Sequence, residues 1–181
     1  MLDKLESFGA IPASLPENSL RQSLEALRKI TGKLPEDYSR FLLHFGATVL
    51  FDVNVVFKAA QPSPWADPSG YDSLESLYGL ADTGKDYTVF EAADAYREDF
   101  SNHWLPIGSS SGDNQICLCL QGALYGQVWF WDHETDPVFS ESGVISGMTR
   151  IADSFKEFIE ILDSREEDND ISGVVRVDLD F

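Results

Sequence analysis

The chain has 181 residues with 31 Asp and Glu against 13 Lys and Arg, a formal net charge of −18, and it carries no basic cluster of the kind that neutralises phosphates, which excludes direct binding of DNA or RNA. With 43% apolar and 12% aromatic residues it can bury a proper core, so it is not a disordered acidic tail, and its length suits one domain with at most a short appendage. No run of about 18 apolar residues marks a membrane span, and Met1 to Ala10 lacks the basic and apolar regions of a signal peptide; the expected location is cytoplasmic.

Residues 1–18 are read as a lead-in. Ser19 followed by Gln22 suggests a capping box, after which Leu20, Leu24, Leu27 and Ile30 recur at helical spacing until Gly32. Pro35 stands where a first-turn proline belongs, Glu36 and Asp37 suit the positive end of a helix dipole, and Tyr38, Phe41, Leu42 and Phe45 line one face before Gly46. From Thr48 the period changes to two. Val49, Phe51, Val53, Val55 and Phe57 alternate with Asp52, Asn54 and Lys58, the pattern of a half-buried strand.

Residues 61–70 hold three prolines, Trp65 and Asp67, and predict a surface loop. Leu74 to Leu80 fits a strand or a turn, and Val89, Ala92, Ala93, Tyr96 and Phe100 fit a third helix. Beyond Pro106, closely spaced apolar runs at Ile107, Ile116 to Leu120 and Val128 to Trp131 are separated by the Gly-Ser turn of residues 108–114 and by Gln121-Gly122, which predicts an antiparallel meander. Ile151, Phe155, Phe158, Ile159 and Leu162 predict a last helix, with Ser154 and Glu157 as a capping box. Residues 163–170 read as an exposed acidic linker, and Val175, Val177, Leu179 and Phe181 as an edge strand whose charged alternate residues oppose aggregation.

Several constellations invite chemistry. Gly108-Ser109-Ser110-Ser111-Gly112 satisfies the pattern of a hydrolase nucleophile elbow, but that device needs a helix after the serine and a strand-like run follows instead, so a hairpin loop is the better reading. Asp132, His133, Glu134 and Asp136 gather carboxylates around an imidazole without zinc spacing or a calcium loop; a solvated turn is the plainer account. His44 and His103 read as structural. Cys117 and Cys119 share one face of a strand about 7 Å apart, a spacing that suits neither a disulfide nor a C-x-x-C pair, and they are expected to be small buried hydrophobes. No phosphate loop or catalytic motif is present, so no cofactor and no metal is expected. Trp65, Tyr71, Tyr78, Trp104, Tyr125, Trp129 and Trp131 include possible binding anchors, and alternation leaves open which of the pairs Trp129/Trp131 and Val128/Phe130 faces outward.

The order of the motifs Leu34-Pro35-Glu36-Asp37-Tyr38, Leu77-Tyr78-Gly79-Leu80, Leu105-Pro106-Ile107-Gly108, Gly126-Gln127-Val128-Trp129-Phe130-Trp131-Asp132 and Ile151-Ala152-Asp153-Ser154-Phe155 resembles the SUKH superfamily, shared by fungal SMI/KNR-type cell-wall regulators and many bacterial immunity proteins. The resemblance implies an α+β single domain over residues 19–163, with helices packed around a bent antiparallel β-sheet, and leaves residues 164–181 as an acidic linker and C-terminal edge strand. It also implies a non-enzymatic immunity protein that binds and neutralises a cognate polymorphic toxin. A nuclease toxin suits the acid excess, because an acidic surface complements a basic nucleic-acid cleft. The expected contacts are Asp67, Asp72, Glu75, Asp113, Asp132 and Glu134, in or beside predicted loops, on a monomer or weak dimer. Two other readings stand beside it: a regulatory or scaffolding module like the fungal branch, and an enzyme or metal protein using Asp132, His133 and Glu134.

Overall fold

The computed structural model describes residues 1–84, 87–100, 103–140 and 143–165. The expected lead-in opens with helix α1, Leu2–Ser7, whose buried Leu5 joins the main core. Helix α2 spans Glu17–Thr31 and starts ahead of the expected cap. Pro16, fixed at φ −61, occupies the N-cap position and no side-chain cap bond forms there, so the Ser19–Gln22 box is not used; the ring sets φ at the cap itself. Leu20, Leu24 and Leu27 are buried, but Ile30 is 55% exposed. At 100° per residue it lies roughly 90° from the centre of the leucine stripe.

Pro35 precedes helix α3, Glu36–Phe45, with Tyr38, Phe41, Leu42 and Phe45 buried as expected, and Gly46 at φ +72 ends it. The expected third helix is broken at Tyr96 into α4, Val89–Ala95, and α5, Arg97–Phe100. Thr88 and Glu91 form a reciprocal capping box at the start of α4. The last helix is shorter than its pattern: α6 spans Phe155–Ile161, with Ser154 Oγ accepting from the Glu157 N–H at 3.0 Å.

Strand β1 (Val49–Phe57) forms where alternation predicts it, β2 (Asp72–Leu77) takes the strand reading of its segment, and β3 (Trp104–Ser109), β4 (Gln115–Cys119) and β5 (Val128–Trp131) form the expected meander. A short hairpin of β6 (Val138–Ser140) and β7 (Gly143–Ser146) follows, then β8 (Met148–Ala152), which takes Ile151 out of the expected helix. The acidic segment expected as a linker begins as an edge strand, β9 (Asp163–Arg165), paired with β1. The rest of that segment and the expected terminal strand lie outside the described residues. The seven-stranded sheet has the order β8-β5-β4-β3-β2-β1-β9, every neighbouring pair antiparallel.

The expected alternation along β1 holds at Val49, Val55 and Phe57 and fails between them. The ladder to β2 jumps from Leu50↔Ser76 to Val55↔Leu74, so residues 51–54 bulge and Val53 is 43% exposed. The chain leaving β1 then reaches the far border of the sheet, where Ala60 and Gln61 donate backbone bonds to Ile151 and Arg150 of β8 at 3.1 and 3.2 Å. The sheet therefore curls into a half-barrel whose two sides are strapped together.

Both faces of the meander are covered, which resolves the tryptophan ambiguity. Leu105, Ile107, Ile116, Leu118, Val128 and Phe130 pack with the helices in the main core. Trp104, Cys117, Cys119, Trp129 and Trp131 form a second core with Phe100 of α5, roofed in part by the β6–β7 hairpin through the stacking of Phe139 on Trp104. Neither pair faces solvent. The cysteines are buried as expected, and burial pushes both thiols above their ordinary pKa.

Candidate functional site

The up-down order of the meander places the β1–β2 loop, the β3–β4 turn and the segment after β5 at one end of the sheet. The candidate acids Asp67, Asp72, Asp113, Asp132 and Glu134 all belong to this end, and Glu75 follows within β2.

The β3–β4 turn organises this end. It contains the serine motif, and Ser110 is its structural pin: its hydroxyl donates to the Ser73 carbonyl at 2.6 Å. The strand β4 leaves the turn where a nucleophile elbow would need a helix. Ser111 Oγ lies 2.8 Å from Ser73 Oγ and donates to Glu75 Oε1 at 3.0 Å. Asn114, buried at the other side of the turn, accepts the backbone N–H of His133 at 3.3 Å and donates to the Ser111 carbonyl at 3.0 Å. One turn thus ties Glu75 to the segment carrying Asp132 and Glu134, and it holds Asp113 exposed in a left-handed backbone conformation at φ 61.

The Asp132 carboxylate closes its own turn, accepting from the Glu134 N–H at 3.0 Å and the Thr135 hydroxyl at 2.6 Å. His133 is held by Asn114, with Nδ1 3.3 Å from Oδ1. This is the geometry of a turn. Among the described residues, no group of three or more His, Cys, Asp and Glu side chains could hold a metal ion.

Asp67 and Asp72 come together in the wall of one cleft of about 320 Å³, with Asn54, Trp65, Tyr71, Ser73, Asn114 and Phe130. Glu75 belongs to the adjoining groove over the β1 bulge, shared with Asp52, Val53 and Arg165. Asp113, Asp132 and Glu134 line neither.

The two carboxylates of the cleft have opposite environments. Asp67 is exposed and well supplied: Oδ1 accepts the backbone N–H groups of Ser69 and Tyr71 at 2.7 and 2.9 Å, and Oδ2 lies 3.3 Å from the Arg165 guanidinium. The Tyr71 N–H is the largest influence holding its pKa below the ordinary carboxylate value. Asp72 is 5% exposed, and among the described residues its Oδ1 accepts only the Ser63 hydroxyl at 3.2 Å and its Oδ2 has no partner. Burial pushes its pKa up, opposed by the Ser63 bond and reinforced by the charge of Asp67.

Trp65, read from the sequence as a possible anchor, is 48% exposed at the cleft, while Trp104, Trp129 and Trp131 are core. Asp52, Ser73, Ser111, Asn114 and Arg165 were not among the expected contacts. Their places depend on the β1 bulge, the pairing of β9 and the fold of the serine turn.

The class defined by this architecture is a small α+β half-barrel domain with an acid-lined open end. The chain belongs to the SMI1 / KNR4 family (SUKH-1), whose model matches residues 21–161. It is also 30% identical to the SPbeta prophage-derived uncharacterized protein YokK of Bacillus subtilis (strain 168), over 98% of this chain and 93% of that protein. Among the described residues, no helix is long and apolar enough to cross a membrane.

Proposed function

We propose that this chain is a cytoplasmic, non-enzymatic immunity protein that neutralises a cognate protein toxin by occupying its basic surface. The observation that carries the reading is the collection of Asp67, Asp113, Asp132 and Glu134 in loops at one end of a strapped sheet, in a member of a family whose bacterial branch generally serves in toxin systems. An end bearing carboxylates complements a cleft built for nucleic acid, so the favoured toxin class is a nuclease, and the net charge of −18 favours rapid, electrostatically steered capture of a basic partner. Glu75, Asp113, Asp132 and Glu134 form the steering rim; Asp67 and Asp72 belong to the cleft beside it.

The test is co-expression with the C-terminal domain encoded by the neighbouring gene. Growth arrest by that domain, relieved by this chain and not by a folded variant carrying Glu75→Lys, Asp113→Lys, Asp132→Lys and Glu134→Lys, is the expected result. Full rescue by the reversed variant would dismiss this rim as the interface. No arrest, or arrest that this chain does not relieve, would remove the proposed pairing.

A further inference from the structure

We propose that the cleft between the β1–β2 loop and the β3–β4 turn receives an arginine side chain of the partner protein, its guanidinium paired with Asp72 and flanked by Trp65. The partner's being a protein with a basic surface rests on the function proposed above; the cleft's choice of side chain rests on its own geometry.

Asp72 is the unmet group of the cleft. A buried carboxylate normally has a full set of donors or a paired cation, and among the described residues this one has a single hydroxyl at 3.2 Å and a second oxygen with no partner. Among the described residues Lys58 and Arg165 lie over the Tyr71 ring beside the cleft, at 5.9 and 3.6 Å. Arg165 is paired with Asp67, and neither cation forms an ion pair with Asp72 among the described residues.

Arg165 also shows how this wall accommodates a guanidinium, over the Tyr71 ring and against a carboxylate. A second guanidinium entering beside Asp72 meets the same ingredients: a carboxylate, the exposed ring of Trp65, and acceptor oxygens on Ser73 and Asn114, with room in a cleft of about 320 Å³. The Ser63 hydroxyl is the bond exchanged on entry. Arginine is favoured over lysine because its planar, weakly hydrated head forks onto a carboxylate and stacks on an aromatic face.

The test needs no toxin. Nα-acetyl-arginine methylamide is titrated into the isotope-labelled full chain and followed by amide and indole NMR shifts. Saturable shifts at the Trp65 indole and at the Ser63, Asp72 and Asn114 amides are expected. Asp72→Asn, which keeps the shape and removes the charge, weakens binding roughly tenfold or more, Trp65→Ala weakens it less, and the uncharged citrulline analogue leaves those signals unmoved. Absence of saturable shifts in the cleft, equal binding by Asp72→Asn, or equal response to citrulline would overturn the inference. Rescue from a toxin by the unaltered chain alongside a silent cleft would remove this inference alone. Arginine seated in the cleft without any toxin to relieve would remove the proposed function and leave the subsite.

Discussion

Asp72 leaves water for a single hydroxyl donor among the described residues, so its charged form is disfavoured in the fold and free in the unfolded chain. The sign of the resulting pH dependence follows from the raised folded pKa. Below the ordinary value of 3.8 the carboxyl is neutral in both states and nothing is lost. As pH rises through the higher folded value, the unfolded chain binds fewer protons than the native one and stability falls. Asp72→Asn is therefore expected to stabilise the protein at pH 7, seen as a higher urea midpoint, with the gain vanishing at pH 3. A variant that is more stable yet fails to bind the arginine probe would mark Asp72 as a group retained for binding at the expense of folding. From sequence, Asp72 was one acid among several, because its burial and its shortage of donors arise only when the β1–β2 loop packs beside the start of β2.

At the scale of elements, agreement was best where one period ran unbroken and one face was buried. The α3 stripe and the β3–β4–β5 meander kept their expected residues because nothing competes with alternation there. The β1 pattern failed where its ladder bulges, and Ile151 left its helix because a strand can bury that side chain as well as a helix can. The β6–β7 hairpin escaped notice: its strands are short, and exposed Val138 and Phe139 give no periodic signal. The acidic run from Asp163 read as a linker by composition, yet three residues suffice to pair with β1. A local signal that passed unread is the Thr88–Glu91 capping box, in which Glu91 Oε2 accepts the Thr88 N–H at 2.8 Å and Thr88 Oγ1 accepts the Glu91 N–H at 3.2 Å. Thr88→Ala is expected to cost about 1 kcal/mol in equilibrium urea unfolding. Because α4 leads into the segment carrying Phe100, the loss should also increase exchange of the α5 amides.

Across the whole molecule, the excess of acids repels itself in the folded state more than in the expanded chain. Salt should therefore raise the melting temperature at pH 7, chiefly as the Debye length contracts from about 30 Å at 0.01 M to about 8 Å at 0.15 M. Near the sequence pI of 4.3 the same addition should have little effect. Differential scanning calorimetry at the two pH values checks this, and a melting temperature indifferent to salt at pH 7 would mean that the acids are spaced widely enough to ignore one another. Composition alone supplied this property, whereas the placement of the acids at one end required the strand order.

The strap from Ala60 and Gln61 to β8 also bears on folding speed. It joins positions 89 residues apart in the chain, as the Gln61 side-chain bond to the Arg150 N–H records, so its loop-closure entropy must be met before those bonds return any stabilisation. The meander from β3 to β5 can zip through nearby turns. The border between β8 and the chain leaving β1 must await the two ends of the sheet, making late closure of the half-barrel the natural order of assembly.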